Sequence, residues 1–301
     1  MKDKIALCFI INYEHQLNKE NIWREWIESN KELINVYIFY KDYNKITSKW
    51  LKQHAIPLNF IVDTSYYHVV PAYYSLMNFA ILNKDNKWFC FLTDSCCPII
   101  SPKKFRQLFF TYNKKSIISC DKSFWNINLH TRANLKLLPK DFHLSNTPWF
   151  VLTRENVMDC LNFIIYNKKI YDTVCHGGLA NESLFAIIFK FYNKLENIIN
   201  ETTHLTDWSR MSSSTSPHEF IKGDSSDINF IDKSLKKNKY AIFVRKISNK
   251  FPDDILRKYI FKDSNNFTLK NVFFYFFIFI FTFNFLYFFI VIKNKWMIKL
   301  F

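Results

Sequence analysis

Trp88-Phe-Cys-Phe-Leu-Thr-Asp-Ser-Cys-Cys-Pro-Ile99 sets an unbroken apolar run against an abrupt polar end at Thr93, Asp94 and Ser95, and Pro98 then stops it. An apolar run of this length without alternation suits a strand covered on both faces, and in open α/β sheets ligands sit at the carboxyl ends of such strands. Thr93 to Cys97 are therefore expected to face a ligand, with Asp94 and Ser95 as candidate contacts. For the single residues the alternative is that Cys96 and Cys97 are small core residues and Asp94 caps the following turn.

Outward from this stretch, short apolar runs alternate with segments of helical spacing. Residues 5–11 read as a strand, 12–15 as a polar loop, and 21–30 as a helix with Ile22, Trp23, Trp26 and Ile27 on one face. Further strands are expected at 36–40, 60–62, 116–120, 150–153 and 241–244. Helices are expected at 72–82, covering the sheet with Leu76, Phe79, Ala80 and Leu82, and at 155–166. A third opens at Glu182 and carries Leu184, Phe185, Ile187, Ile188 and Phe191. This alternation predicts an α/β domain with a mostly parallel central sheet. Gly177 and Gly178 are two of only three glycines in the chain, so the backbone there is expected to turn tightly or approach a neighbour closely. The Ser-rich residues 211–228 suggest a mobile loop over a site, with Pro217 and His218 as lid residues.

The 88–99 stretch together with Ser101-Pro-Lys-Lys-Phe105 resembles the FVLLSESCIPL…NF segment of the core-2/I-branching β-1,6-N-acetylglucosaminyltransferase family, in its plant and microbial branch. Four more segments follow in the family's order. Asn146-Thr-Pro-Trp-Phe-Val-Leu-Thr-Arg154 is similar to QWxxLTR, Asn181-Glu-Ser-Leu-Phe185 stands where the family has DEHYL, Thr206-Asp-Trp-Ser-Arg210 is close to VDWSR, and Tyr240-Ala-Ile-Phe-Val-Arg-Lys-Ile247 resembles LFARKF. The resemblance spans residues 5 to about 250. It implies a GT-A-like nucleotide-sugar transferase domain that transfers N-acetylglucosamine from a UDP-sugar to a glycan, with inversion.

Sugar transfer needs a base for the acceptor hydroxyl and positive charge for the departing diphosphate. The resemblance makes Glu182 the catalytic base, and its place after a Gly-Gly loop at the start of an apolar helix would leave it partly desolvated. The alternative is an acidic residue favoured at a helix start by the dipole. Asn181 departs from the family's Asp. Lys246 matches the family's diphosphate-binding lysine and Arg245 precedes it; strand alternation would send the two to opposite faces, so Lys246 is the one expected to reach the phosphates. Trp208 is a candidate for stacking on a sugar ring and Arg210 for a donor or acceptor contact. The chain has no Asp-x-Asp motif, and the family is metal-independent, so no metal or other cofactor is expected beyond the UDP-sugar itself.

Composition narrows the setting. The 301 residues are 49% hydrophobic and carry a net charge of +15, but the lysines are scattered and no nucleic-acid motif accompanies them, so nucleic acid is not an expected partner. Seven cysteines without CxxC or Cys/His spacing argue against zinc, and their odd number with no secretory signal favours a reducing compartment. Residues 272–292 run without a charge, Pro or Gly, long enough as a helix to span about 30 Å of bilayer. The expected organisation is a transferase domain over 1–265, a linker over 266–271, a transmembrane helix over 272–292 and a basic tail over 293–301. Flanking lysines nearly balance and leave orientation open. A run so close to the last residue, and a glycosylation sequon at Asn181 beside the expected base, together favour a cytosolic domain. The alternative function is a catalytically inactive, membrane-tethered carbohydrate-binding or scaffolding protein of the same fold.

Overall fold

The computed structural model describes residues 3–261. In chain order the elements are β1 (Lys4–Ile10), α1 (Glu20–Glu28), β2 (Ile34–Phe39), α2 (Lys49–His54), α3 (Val70–Ala80), β3 (Asn86–Thr93), β4 (Cys97–Pro98), α4 (Pro102–Tyr112), β5 (Cys120–Lys122), β6 (Leu144–Asn146), β7 (Val151–Thr153), α5 (Arg154–Tyr166), α6 (Lys168–His176), α7 (Leu184–Phe191), β8 (His204–Thr206), α8 (Ser225–Lys237), β9 (Phe243–Arg245) and α9 (Asp253–Ile260).

The central sheet has the order β2-β1-β3-β7. It is parallel through β2, β1 and β3, as the apolar runs predict, and β7 pairs antiparallel with β3, which makes it mixed. A three-stranded sheet β4-β9-β8 and a two-stranded sheet β5-β6 complete the β-structure among the described residues. Successive side chains of a strand point to opposite faces, so β3 divides its apolar run between two cores. Trp88, Cys90 and Leu92 enter the core beneath α1, α4, α8 and α9. Phe89 and Phe91 enter the other, under α3, α5 and α7. Covering both faces removes water from every position of the run, which is why no polar residue interrupts it.

Helix α1 binds this sheet to the polar tip of β3. Trp23 Nε1 donates to the Cys96 carbonyl at 3.0 Å and Trp26 Nε1 to the Ile100 carbonyl at 2.8 Å, so both buried indoles find acceptors. Trp23 is wholly buried against Phe9 and Phe243, and truncating it would cost about 3–5 kcal/mol.

Several local expectations change. Residues 60–62 form no strand: a single 3-10 turn, Leu58–Phe60, follows Pro57, and the Phe60 ring packs on Phe79 of α3. The strand expected at 116–120 shrinks to isolated bridges from Ile117 to Val151 and Ile199, with the Ser116 hydroxyl taking the Thr153 amide and donating to Asn156; pairing resumes at Cys120. Helix α6 was not evident in the sequence, since Val174 is its one buried residue. Leu82 lies past the end of α3 and is exposed, and Phe191 is partly exposed at the end of α7. Residues 225–228 belong to α8, whose first turn is capped by the Asp224 carboxylate. Among the described residues no helix is long and apolar enough to cross a membrane. The expected linker, transmembrane helix and basic tail lie outside the described residues.

Candidate functional site

The carboxyl ends of β1, β3 and β9 meet, and the polar tip of β3 is held there by Arg245 at the end of β9. Its Nη1 donates to Thr93 Oγ1 and to Ser95 Oγ, the latter at 2.9 Å. Its guanidinium lies 3.9 Å from the centroid of the Trp149 ring. Asp94 is half-buried next to it, accepting from the Asn12 amide at 3.3 Å; burial pushes the Asp94 carboxyl up while the Arg245 charge opposes the rise. Thr93, Asp94 and Ser95 are partly open at this end. Cys96 and Cys97 are not: both are fully buried core residues, with the Thr93 amide donating to Cys96 Sγ.

Lys246 lies one residue beyond β9, so strand alternation does not govern it and the two cations are not held apart on opposite faces. The Lys246 amine donates to Ser216 Oγ at 3.0 Å. Burial pulls its pKa down and the neighbouring Arg245 charge pulls it further, while Glu219 and Asp94 work against both. The backbone around it is pinned on both sides: Phe220 N donates to the Lys246 carbonyl and Ile247 N to the Ser95 carbonyl, each at 2.8 Å.

Glu182 closes a 3-10 turn, Ala180–Glu182, two residues before α7 rather than opening that helix. The dipole argument for an acid in the first helical turn therefore does not apply to it. Its Oε2 accepts from Arg132 Nη1 at 3.2 Å, with about a quarter of each side chain exposed. Burial raises the Glu182 pKa against the opposing charge of Arg132, which itself stacks over the Trp125 ring. The loop that presents Glu182 is built on close backbone contact. Ala133 N donates to the Gly178 carbonyl and Leu179 N to the Tyr67 carbonyl. A Cβ on Gly177 would meet Ala133 Cα at 2.7 Å and Asn134 N closer still, so the glycine allows two backbone segments to touch.

Tyr73 joins the two halves. It is buried among Phe91, Phe150 and Phe185, and its hydroxyl donates to the Pro148 carbonyl at 2.6 Å. Burial raises its pKa strongly, and the charges of Arg245 and Glu182 both bear on the hydroxyl. Glu182 and Arg245, 63 residues apart in the sequence, thus both act on one buried phenol. Among the described residues, Thr147 Oγ1, Asn181 Oδ1, Ser183 Oγ, His204 Nε2 and Arg245 Nε are buried without a hydrogen-bond partner. His204 rests against Phe243 and Trp149, and burial with the Arg245 charge keeps its imidazole neutral.

The remaining candidates fall outside this group. Trp208 is 52% exposed, which rules out core burial and leaves its ring face open. Arg210 is occupied structurally: Nε donates to Asp207 at 2.6 Å and Nη1 to Asp227 at 3.1 Å. His218 also bonds Asp227, at 2.9 Å, so the expected lid is tied to the first turn of α8. Among the described residues no three His, Cys, Asp or Glu side chains converge as a metal-binding group. Tyr73, Arg132, Trp149 and His204 were not singled out from the sequence. Trp149 sits inside a recognisable segment, whereas Arg132 lies in an aperiodic stretch that gives no signal.

A protein-family model described as Core-2/I-Branching enzyme matches residues 9–233. No curated protein matches the chain. Among matching solved structures is 4-diphosphocytidyl-2C-methyl-D-erythritol synthase from Anaerococcus prevotii, 14% identical over 77% of this chain and 96% of that one, with a TM-score of 0.37. A TM-score that low carries no argument.

Proposed function

The chain belongs to the Core-2/I-Branching enzyme family, a family of glycosyltransferases, and from that premise we propose that it transfers N-acetylglucosamine from UDP-N-acetylglucosamine to a carbohydrate hydroxyl, with inversion and without a metal, on a GT-A-like domain. The observation that carries this reading is that the Glu182 carboxylate, its pKa raised by burial, and the Arg245 guanidinium both act on the buried Tyr73 hydroxyl, with the Lys246 amine next to Arg245. Glu182 accepts the proton of the acceptor hydroxyl as that oxygen attacks the anomeric carbon. The bond from the sugar to the diphosphate breaks on the opposite side, and its electron pair leaves on the β-phosphate oxygen. A single displacement inverts the anomeric centre.

Arg132 fixes the direction of the Glu182 carboxylate through the 3.2 Å bond, and partial burial raises its basicity toward the range where a general base works at neutral pH. Lys246 takes the diphosphate, and Arg245 adds a fixed positive charge while holding the β3 tip. Asp94 and Ser95 contact the donor, and the open face of Trp208 meets a sugar ring. Residues 272–292 tether the domain to a membrane from the cytosolic side. Supporting that side, Asn181 is 8% exposed with its carbonyl bonded to Asn146, a poor position for a glycan.

The test of the binding half is calorimetry of UDP and of uridine against the full chain and Lys246→Ala. A phosphate-directed charge has nothing to grip in the nucleoside, so UDP should weaken at least tenfold and uridine hardly at all. Equal losses for both ligands would return Lys246 to a structural role.

A further inference from the structure

The end of the domain opposite the site carries a second organised surface. The carboxyl ends of β1 and β3 face the site, so their amino ends, with Trp88, define the opposite end. Helix α4 returns there: Trp88 Nε1 donates to the Lys115 carbonyl at 3.2 Å, just past the end of α4. Helix α8 starts beside Arg210 and Asp227 near the site and runs away from it. Its far end meets α4, since the Tyr112 and Tyr240 rings lie 5.3 Å apart. Helix α9 also points this way, with Asp253 bonded to Lys19 at the head of α1, Arg257 to Glu25 further along, and Tyr259 to Asp232 of α8.

The last turns of α4 and α8 thus meet, α9 ends toward the same end of the domain, and a run of lysines lies with the first two. Lys114, Lys115, Lys236, Lys237 and Lys239 are all exposed, and none pairs with a carboxylate within 4.0 Å among the described residues. Glu201, whose charge bears on Lys239, is the acid they face. The surface is aromatic as well as basic: Phe110 is 51% exposed, and Tyr112 and Tyr240 line a cavity of about 540 Å³ with Lys114 and Lys115. Chain described by the structure leaves α9 at Phe261 on this same end, and the uncharged run 272–292 begins eleven residues later.

We propose that this end of the domain is a docking face for an anionic lipid surface, so that the domain lies against the bilayer by its lysines and aromatic rings while the transfer site opens away from it. Unpaired lysines are attracted to acidic headgroups, and amphipathic rings settle at headgroup depth. The exit of the chain at this end brings the face to the surface if 272–292 spans the membrane, but the lysines and rings require no tether to bind. The face goes beyond the transfer reaction and uses none of its residues.

The test is acetylation footprinting of the full chain reconstituted into phosphatidylcholine vesicles with and without about a third phosphatidylserine. Lys114, Lys115, Lys236, Lys237 and Lys239 should label several-fold more slowly in the anionic vesicles, while Lys45, past the carboxyl end of β2, and Lys222, both exposed at the site end, label at equal rates. Equal labelling of the five lysines in both lipids overturns the proposal, as does uniform slowing that includes Lys45 and Lys222. The triple variant Lys236→Glu, Lys237→Glu, Lys239→Glu should abolish the lipid-dependent slowing at Lys114 and Lys115 without changing UDP binding; persistence of the slowing also overturns it. Protection of the five lysines by single-stranded RNA, with none from anionic lipid, assigns the face to nucleic acid and refutes the lipid assignment. Alkaline carbonate extraction of the same vesicles reports on the 272–292 tether separately, and UDP release on the transfer reaction, so failure of either is distinguishable from failure of the face.

Discussion

Replacing Glu182 by Gln separates the roles of charge and shape at the proposed base. Gln keeps the length of the side chain and its amide oxygen still accepts from Arg132 Nη1, which sits 3.2 Å from the carboxylate. Exchanging a charge-assisted bond for a neutral one at a quarter-exposed site weakens that contact by about 1 kcal/mol, which loss of the carboxylate's larger burial penalty offsets. Losing the base costs more: a general base contributes at least about 10²-fold in turnover, or about 2.7 kcal/mol of transition-state stabilisation. The stability change should also have the opposite sign. Burial raises the folded pKa of Glu182, so the folded state binds more protons than the unfolded one between the two values, and the carboxylate loses stability as pH rises through that window. At neutral pH the neutral amide removes that penalty, and Glu182→Gln should melt no lower than the parent. The assay is single-turnover transfer from UDP-N-acetylglucosamine alongside UDP calorimetry and thermal melting. Turnover lowered 10²-fold or more with UDP affinity intact is expected; turnover within threefold of the parent refutes the base assignment, and a matching collapse of UDP affinity and melting temperature refutes the separation of roles.

The pH profile of kcat/KM should be a narrow bell, because Glu182 must be ionised while burial raises its pKa, and Lys246 must be protonated while burial and Arg245 lower its own. Glu182→Gln removes the acid limb, and a limb that persists unchanged in the variant belongs to another group. Gly177→Ala should destabilise the domain by about 1–3 kcal/mol in urea titration, since the new methyl meets backbone of Ala133 and Asn134, whereas Gly178→Ala meets only the exposed Tyr67 ring and should cost under 1 kcal/mol; equal costs would refute the close approach. Protease added to sealed microsomes carrying the full chain should digest the domain over 1–265. Protection, with a mass shift reversed by glycosidase, would put Glu182 in the lumen.

The sheet was legible because β1 and β3 are buried on both faces, and such strands spell themselves as unbroken apolar runs. Where pairing is reduced to single bridges or burial is sparse the sequence is a poor guide: Ile117 bridges Val151 and Ile199 without a continuous strand, and α6 buries Val174 alone. The site divides in the same way. Glu182 and Lys246 are proposed from short segments whose order carries the resemblance, and the polar tip of β3 from its position at a strand end. Arg132 reaches Glu182 across a loop shaped by positive φ at Ala133 and Asn134, conformations that neither residue type announces. Tyr73 reads as one more apolar helix position until the structure sets its hydroxyl between the charges of Arg245 and Glu182. Arg245 and Lys246 misled the alternation argument because β9 ends between them.

The central claim is that the charges gathered around Tyr73 drive sugar transfer, and it is tested most directly by acceptor-dependent release of UDP from UDP-N-acetylglucosamine by the full chain in EDTA, with a panel of glycan acceptors. The account predicts that release rises with at least one acceptor, persists in EDTA and falls at least 10²-fold in Glu182→Gln. Tight UDP binding with no acceptor-dependent release from any UDP-sugar, with or without divalent cations, would contradict it and leave a binding protein of the same fold.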